Sequence, residues 1–148
     1  WTMFAAFVLV AVGGASLLAN IVDRLIGRAR PSHFDEHGAH AFDAFTIDAT
    51  WASFPSGHAS VAGAVPGVAA LLWPTSRWLV LPLGMVVAAT RVVTGSHYPR
   101  DVVAGFAFGL VFAALVAMVF ARLGYLFSAG EHAWPRPRSS FRLLTGRR

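Results

Sequence analysis

The chain has 148 residues, of which 56% are hydrophobic and 13% charged, with a net charge of +5. A soluble domain carries about 25% charged residues, so a water-soluble fold is excluded and a single membrane domain is expected. Every basic residue is an arginine, set beside apolar runs or near the C-terminus, which suits lipid headgroups and a phosphate site rather than a nucleic-acid duplex.

Trp1 to Val22 is apolar apart from Thr2, Ser16 and Asn20, long enough as a helix to cross about 30 Å of hydrocarbon. No basic leader or small-residue cleavage site precedes it, so it is not expected to be a signal peptide. The start at Trp1 reads as a fragment or a processed chain. Asp23 and Arg24 are expected to end this span. Residues 27–54 form a polar stretch with most of the acids and three histidines, and loops of that length act as lids or are disordered. Within it His33, Asp35, His37 and His40 have the side chains of a zinc site, if the loop folds back on itself. A solvated lid is the more ordinary reading, and Phe34, Phe42, Phe45 and Trp51 suit one that dips among headgroups. The absence of cysteine rules out disulfides and thiolate–metal sites.

A second span is expected over Ser56 to Trp73, tolerating Pro66, then a tight Pro74–Arg77 connection. The third covers Trp78 to Val93 and the fourth Val102 to Phe127. Trp1, Trp73, Trp78, Tyr98 and Tyr125 fall near span ends, where aromatic side chains collect. Four spans put both chain ends on one side, with Arg77, Arg136, Arg138, Arg142, Arg147 and Arg148. The positive-inside tendency makes that side cytoplasmic. Arg24, Arg28 and Arg30 on the opposite side go against the rule, and binding an anion would account for them.

Three stretches carry reactive residue types. In Phe54-Pro55-Ser56-Gly57-His58 a loop becomes a helix, and a helix N-terminus attracts phosphate through its free N–H groups. Ser56 can cap that helix or donate to a phosphate oxygen, Gly57 permits close approach, and His58 can protonate a leaving oxygen. In Thr90 to Asp101, Pro99 suits the first helical position. Asp101 then reaches the His97 ring and holds its tautomer, leaving the other nitrogen to attack phosphorus. Upstream, the Arg30 fork matches phosphate geometry, and Arg24 and Arg28 would share a helical face at i,i+4. Singly, each has an ordinary explanation: a serine cap, a helix-dipole acid, snorkelling arginines.

Together the three stretches resemble the type 2 phosphatidic acid phosphatase family, which includes the vanadium haloperoxidases. That family's signature is Lys-x6-Arg-Pro, Pro-Ser-Gly-His and Ser-Arg-x5-His-x3-Asp. Here the second motif is complete at Pro55–His58. The third is Thr90-Arg91, His97 and Asp101, with Thr90 keeping the hydroxyl of the usual serine. The first keeps Arg30-Pro31 but has Asp23 at the lysine position, which removes a cation. The resemblance implies an all-α transmembrane helical bundle, its four spans matching the last four of a six-span core. Residues 1–133 would form the membrane-embedded domain and residues 134–148 a basic, flexible cytoplasmic tail.

It also implies a hydrolase for a lipid phosphate or diphosphate, acting at the extracytoplasmic face of a bacterial inner membrane. Phosphatidate, phosphatidylglycerol phosphate, a polyprenyl diphosphate and a lipid A phosphate all fit. His97 would become a phosphohistidine, Asp101 would orient it, and His58 would protonate the alcohol and then activate water. Arg30, Ser56, Gly57 and Arg91 would hold the phosphate, with Arg24, Arg28 and Thr90 as accessories. The implied partners are the lipid substrate and the bilayer, with no nucleic acid, metal or other cofactor. The alternatives are a vanadate-dependent haloperoxidase, against which the lipid-length spans weigh, and a non-catalytic binder of lipid phosphate.

Overall fold

The computed structural model describes residues 1–129 and 135–137. Helix α1 covers Thr2–Ile26, with a π-helical turn at Leu9–Gly13. It does not stop at Asp23 and Arg24 as charge alone suggested. The stop is Gly27, left-handed at φ 64°, whose N–H donates to the Asp23 carbonyl. A Cβ on Gly27 would lie 1.7 Å from the Asp43 carbonyl oxygen, so glycine is needed both for the turn and for the loop that crosses it.

Helix α2 is the short Phe34–His37, and α3 is Gly57–Leu72. Helices α4, Arg77–Val93, and α5, Pro99–Arg122, complete the bundle. Among the described residues three helical stretches are long and apolar enough to cross a membrane: Thr2–Ile26, Pro74–Val93 and Pro99–Arg122. The expected second span is present but short. Its 16 residues reach about 24 Å at 1.5 Å per residue. The expected fourth span begins earlier, at Pro99, and ends earlier, at Arg122. The chain turns at Gly124 and Leu126, both with positive φ. Phe127–Ala129 (β1) then pairs antiparallel with Pro135–Pro137 (β2). The Phe127 ring folds back to within 4.9 Å of the Phe7 centroid. Arg136 of the expected flexible tail therefore sits in a strand; Arg138, Arg142, Arg147 and Arg148 lie outside the described residues.

Helices α3 and α5 form the centre, and they touch through backbone. A Cβ on Gly63 would lie 2.1 Å from the Phe106 carbonyl oxygen, one on Gly105 2.4 Å from that of Ser56, and one on Gly109 1.9 Å from that of Ser60. In lipid there is no hydrophobic drive between helices, so small residues that admit close packing hold them together. At one end Val68, Leu71, Leu72, Ala113, Val116 and Ala117 pack with Phe7 and Ala11 of α1. Helix α4 is peripheral: of its side chains only Ala88 is buried, while Trp78, Leu79, Leu83, Val86 and Val87 are exposed. That apolar face suits lipid. The architecture is an all-α membrane bundle, as expected.

Residues 27–56 are ordered by backbone pairing. Arg28 bridges to Phe42, Ala29 N–H donates to the Ala41 carbonyl, Arg30 N–H to Thr50, and Ser53 N–H to Arg28. Residues 28–30 are thus a spine with a partner on either side, which satisfies backbone groups the loop would otherwise strand.

Candidate active site

The Ser56–His58 turn is a helix N-cap. Ser56 is fully buried, its Oγ accepts from the Ala59 N–H, and its own N–H donates to the Asp101 carbonyl at 3.1 Å. The turn is thereby fixed to the start of α5. Gly57 faces α1, where a Cβ would come 3.1 Å from Asn20 Oδ1. Of the first N–H groups of α3, that of Ala59 is taken by Ser56, while those of Gly57 and His58 have no partner within the helix.

His97 lies in the turn between α4 and α5, 3% exposed. Its N–H donates to the Arg91 carbonyl, and its ring Nδ1 sits 2.9 Å from the Ser53 carbonyl oxygen. The carbonyl can only accept, so Nδ1 carries the proton and Nε2 is left with a free lone pair. Burial pushes the His97 pKa below its ordinary 6.5, the Ser53 carbonyl opposing this and the Arg30 charge adding to it. A neutral imidazole is the form that attacks phosphorus.

Asp101 differs from the expectation. Its Oδ1 is paired with the Arg28 guanidinium, and its Oδ2 accepts from Ser53 Oγ at 2.7 Å and from the Tyr98 N–H at 3.1 Å. Contact with His97 runs through Ser53, which donates to the acid by its hydroxyl and holds the imidazole by its carbonyl. Ser53 was not among the expected residues; a hydroxyl just before the Pro-Ser-Gly-His motif was the only signal.

The arginines separate into two groups. Arg28 is 2% exposed; besides Asp101 it donates to the Ala39 carbonyl and lies 4.3 Å over the Tyr98 ring. Arg24 donates to the Ile47 carbonyl at 2.8 Å. Gly27 breaks the helix between these two, so they do not share a face. Both are engaged in holding the backbone of residues 39–47, and neither stands in for the missing lysine. Arg30 and Arg91 are different: among the described residues neither guanidinium is paired with a carboxylate. Arg30 Nε donates to the Ala52 carbonyl at 3.2 Å. Arg91 Nε is buried with no partner among the described residues. Thr90 Oγ1 donates to its own helix at Val87, which leaves it a lesser part. Asp23 is 4% exposed and its Oδ1 has no donor among the described residues.

Gly57, His58, Thr90 and Arg91 form the polar mouth of a cavity of about 700 Å³. The rest of it is an apolar trough between α1, α3 and α4, walled by Val61, Val65, Val80, Leu83 and Val87, with Ser16 and Asn20 from α1. Of the four metal-site candidates, His33 and His37 approach one another with Glu36 beside them, while Asp35 and His40 are not part of that group.

Long apolar helices packed as a bundle define an integral membrane protein, with a buried, capped helix start opening into a cavity between them. The chain belongs to the PAP2 superfamily, which it matches over residues 4–125. It is 43% identical to the lipid A 1-phosphatase of Rhizobium johnstonii over 137 residues, 93% of this chain and 56% of that protein. The lipid A 1-phosphatase of Rhizobium etli is likewise 43% identical, over 92% of this chain and 59% of the relative. The decaprenylphosphoryl-5-phosphoribose phosphatase of Mycobacterium tuberculosis is 38% identical over 75% of this chain and 60% of its own length. The chain thus spans somewhat over half the length of these relatives. No solved structure matches it significantly.

Proposed function

We propose that this chain carries the active site of a membrane phosphatase that removes phosphate from a large lipid, in the manner of its lipid A 1-phosphatase relatives. The carrying observation is that His58 and Arg91 line the mouth of one cavity, while Asp101 binds both the Ser56 N–H of the His58 turn and the Ser53 hydroxyl whose residue holds the His97 ring. In the first step His97 Nε2 attacks phosphorus, the bond to the lipid oxygen breaks, and His58 gives its proton to that oxygen. In the second His58 takes a proton from water, the water oxygen attacks the phosphohistidine, and inorganic phosphate leaves as the P–N bond breaks.

Arg30, Arg91 and the α3 N–H groups offset the charge on the equatorial oxygens, the largest contribution in phosphoryl transfer. Asp101, through Ser53, keeps the His97 tautomer fixed. The apolar trough below His58 suits a lipid chain left in the bilayer while its headgroup enters the site. With Arg77 on the cytoplasmic side, the site faces outward from a bacterial inner membrane.

The test is release of inorganic phosphate in detergent micelles from lipid A bearing a 1-phosphate and from a polyprenyl phosphate ester. Release by the unaltered protein and loss in His97→Ala is expected. Equal release by both would overturn the reading.

A further inference from the structure

We infer that His33, Glu36 and His37 on the lid form a binding site for one divalent transition ion of the Zn²⁺ class. His33 and His37 stand four residues apart around the short helix α2, a spacing that puts both rings on one side. His33 Nδ1 and His37 Nε2 each lie 3.8 Å from Glu36 Oε2. All three ligand atoms fall within 4.8 Å of one another. Tetrahedral zinc, with bonds of about 2.0–2.2 Å, needs ligand atoms about 3.3 Å apart. Closing the gap takes a small rotation of side chains that are partly or largely exposed, with no movement of the backbone.

Two features prepare the site. The His33 and His37 rings stack on each other, with centroids 5.9 Å apart, and lie tilted against Trp51 at 5.7 and 5.4 Å. Much of the side-chain entropy of ordering is therefore already spent. The backbone is fixed as well, by the Pro31–His33 turn with its His33 N–H to Arg30 carbonyl bond, and by the Gly38 N–H to Phe34 carbonyl bond.

The ligand types choose the ion. Two imidazoles and one carboxylate suit zinc, copper, nickel or cobalt, whereas calcium and magnesium want oxygen ligands. Exposure of the group leaves the fourth position to water. An ion here would staple residues 33–37 together, keeping the two imidazoles against Trp51, beside the Ala52 carbonyl that accepts from Arg30. The site does not depend on the phosphatase reading.

The untagged chain in detergent should be titrated with Zn²⁺ by calorimetry and with Co²⁺ by visible absorption. One ion per chain is expected, with the intense absorption of tetrahedral cobalt. His33→Gln, at a half-buried side chain, and Glu36→Gln, at an exposed one, should each weaken it by about tenfold or more, while His40→Gln leaves it unchanged. Cu²⁺ should quench Trp51, and the saturable quench should vanish in Trp51→Phe. No saturable binding to the unaltered protein, or undiminished binding to a His33→Gln/His37→Gln double variant, would overturn the inference.

Discussion

Removing the Arg28 guanidinium is expected to loosen the fold and leave the phosphate pocket occupied. Arg28 is 2% exposed and its partner Asp101 fully buried. Deleting one member of such a pair strands the other's charge and costs about 3–5 kcal/mol. A domain is stable by only about 5–15 kcal/mol, so Arg28→Ala should lower the thermal unfolding midpoint in micelles by many degrees. Below that midpoint, affinity for orthovanadate, a phosphate mimic, should change by less than about threefold, because Arg30 and Arg91 remain. Arg28→Met combined with Asp101→Asn should recover much of the lost stability, since no charge is then buried alone. An unchanged midpoint with a tenfold loss of vanadate affinity would refute this and make Arg28 a phosphate ligand.

Gly109→Ala puts a methyl 1.9 Å from the Ser60 carbonyl oxygen and must push α3 from α5, costing about 1–3 kcal/mol. Turnover should fall with it, because α3 carries His58 and α5 carries Asp101. Gly13→Ala, with only a 3.9 Å contact to Leu9, should do neither. Asp23→Lys should raise kcat/KM for a phosphate monoester about tenfold, the worth of one charge-assisted contact; a fall would show that Asp23 has its own role. With the His97 pKa below 6.5, the base form persists at neutral pH and is lost only as pH drops through that lowered value. The acid limb of kcat/KM, after the substrate's own ionisation is divided out, should therefore lie below pH 6.5.

Features encoded locally were readable in the amino acids alone. The Ser56 cap, Pro99 at the first turn of α5 and the extent of α3 each depend on neighbours a few residues away. What escaped depends on distant partners. Arg28 looked like a phosphate ligand on a helical face, but Gly27 ends that helix and Asp101, far along the chain, claims the guanidinium. Gly27 was itself a visible stop signal; the run of charge beside it drew the boundary too early. Ser53 could not be ranked above other hydroxyls without seeing that its two ends touch Asp101 and His97. The apolar composition of residues 123–127 hid the turn at Gly124, whose positive φ ends the helix locally and after which Phe127 folds back on Phe7.

The most direct measurement is to quench the protein in alkali during turnover of a radiolabelled lipid phosphate and locate the label by peptide mass spectrometry. A base-stable, acid-labile phosphoryl group on His97, absent from His97→Ala, is predicted. Label on another residue, or none while phosphate is still released, would contradict it.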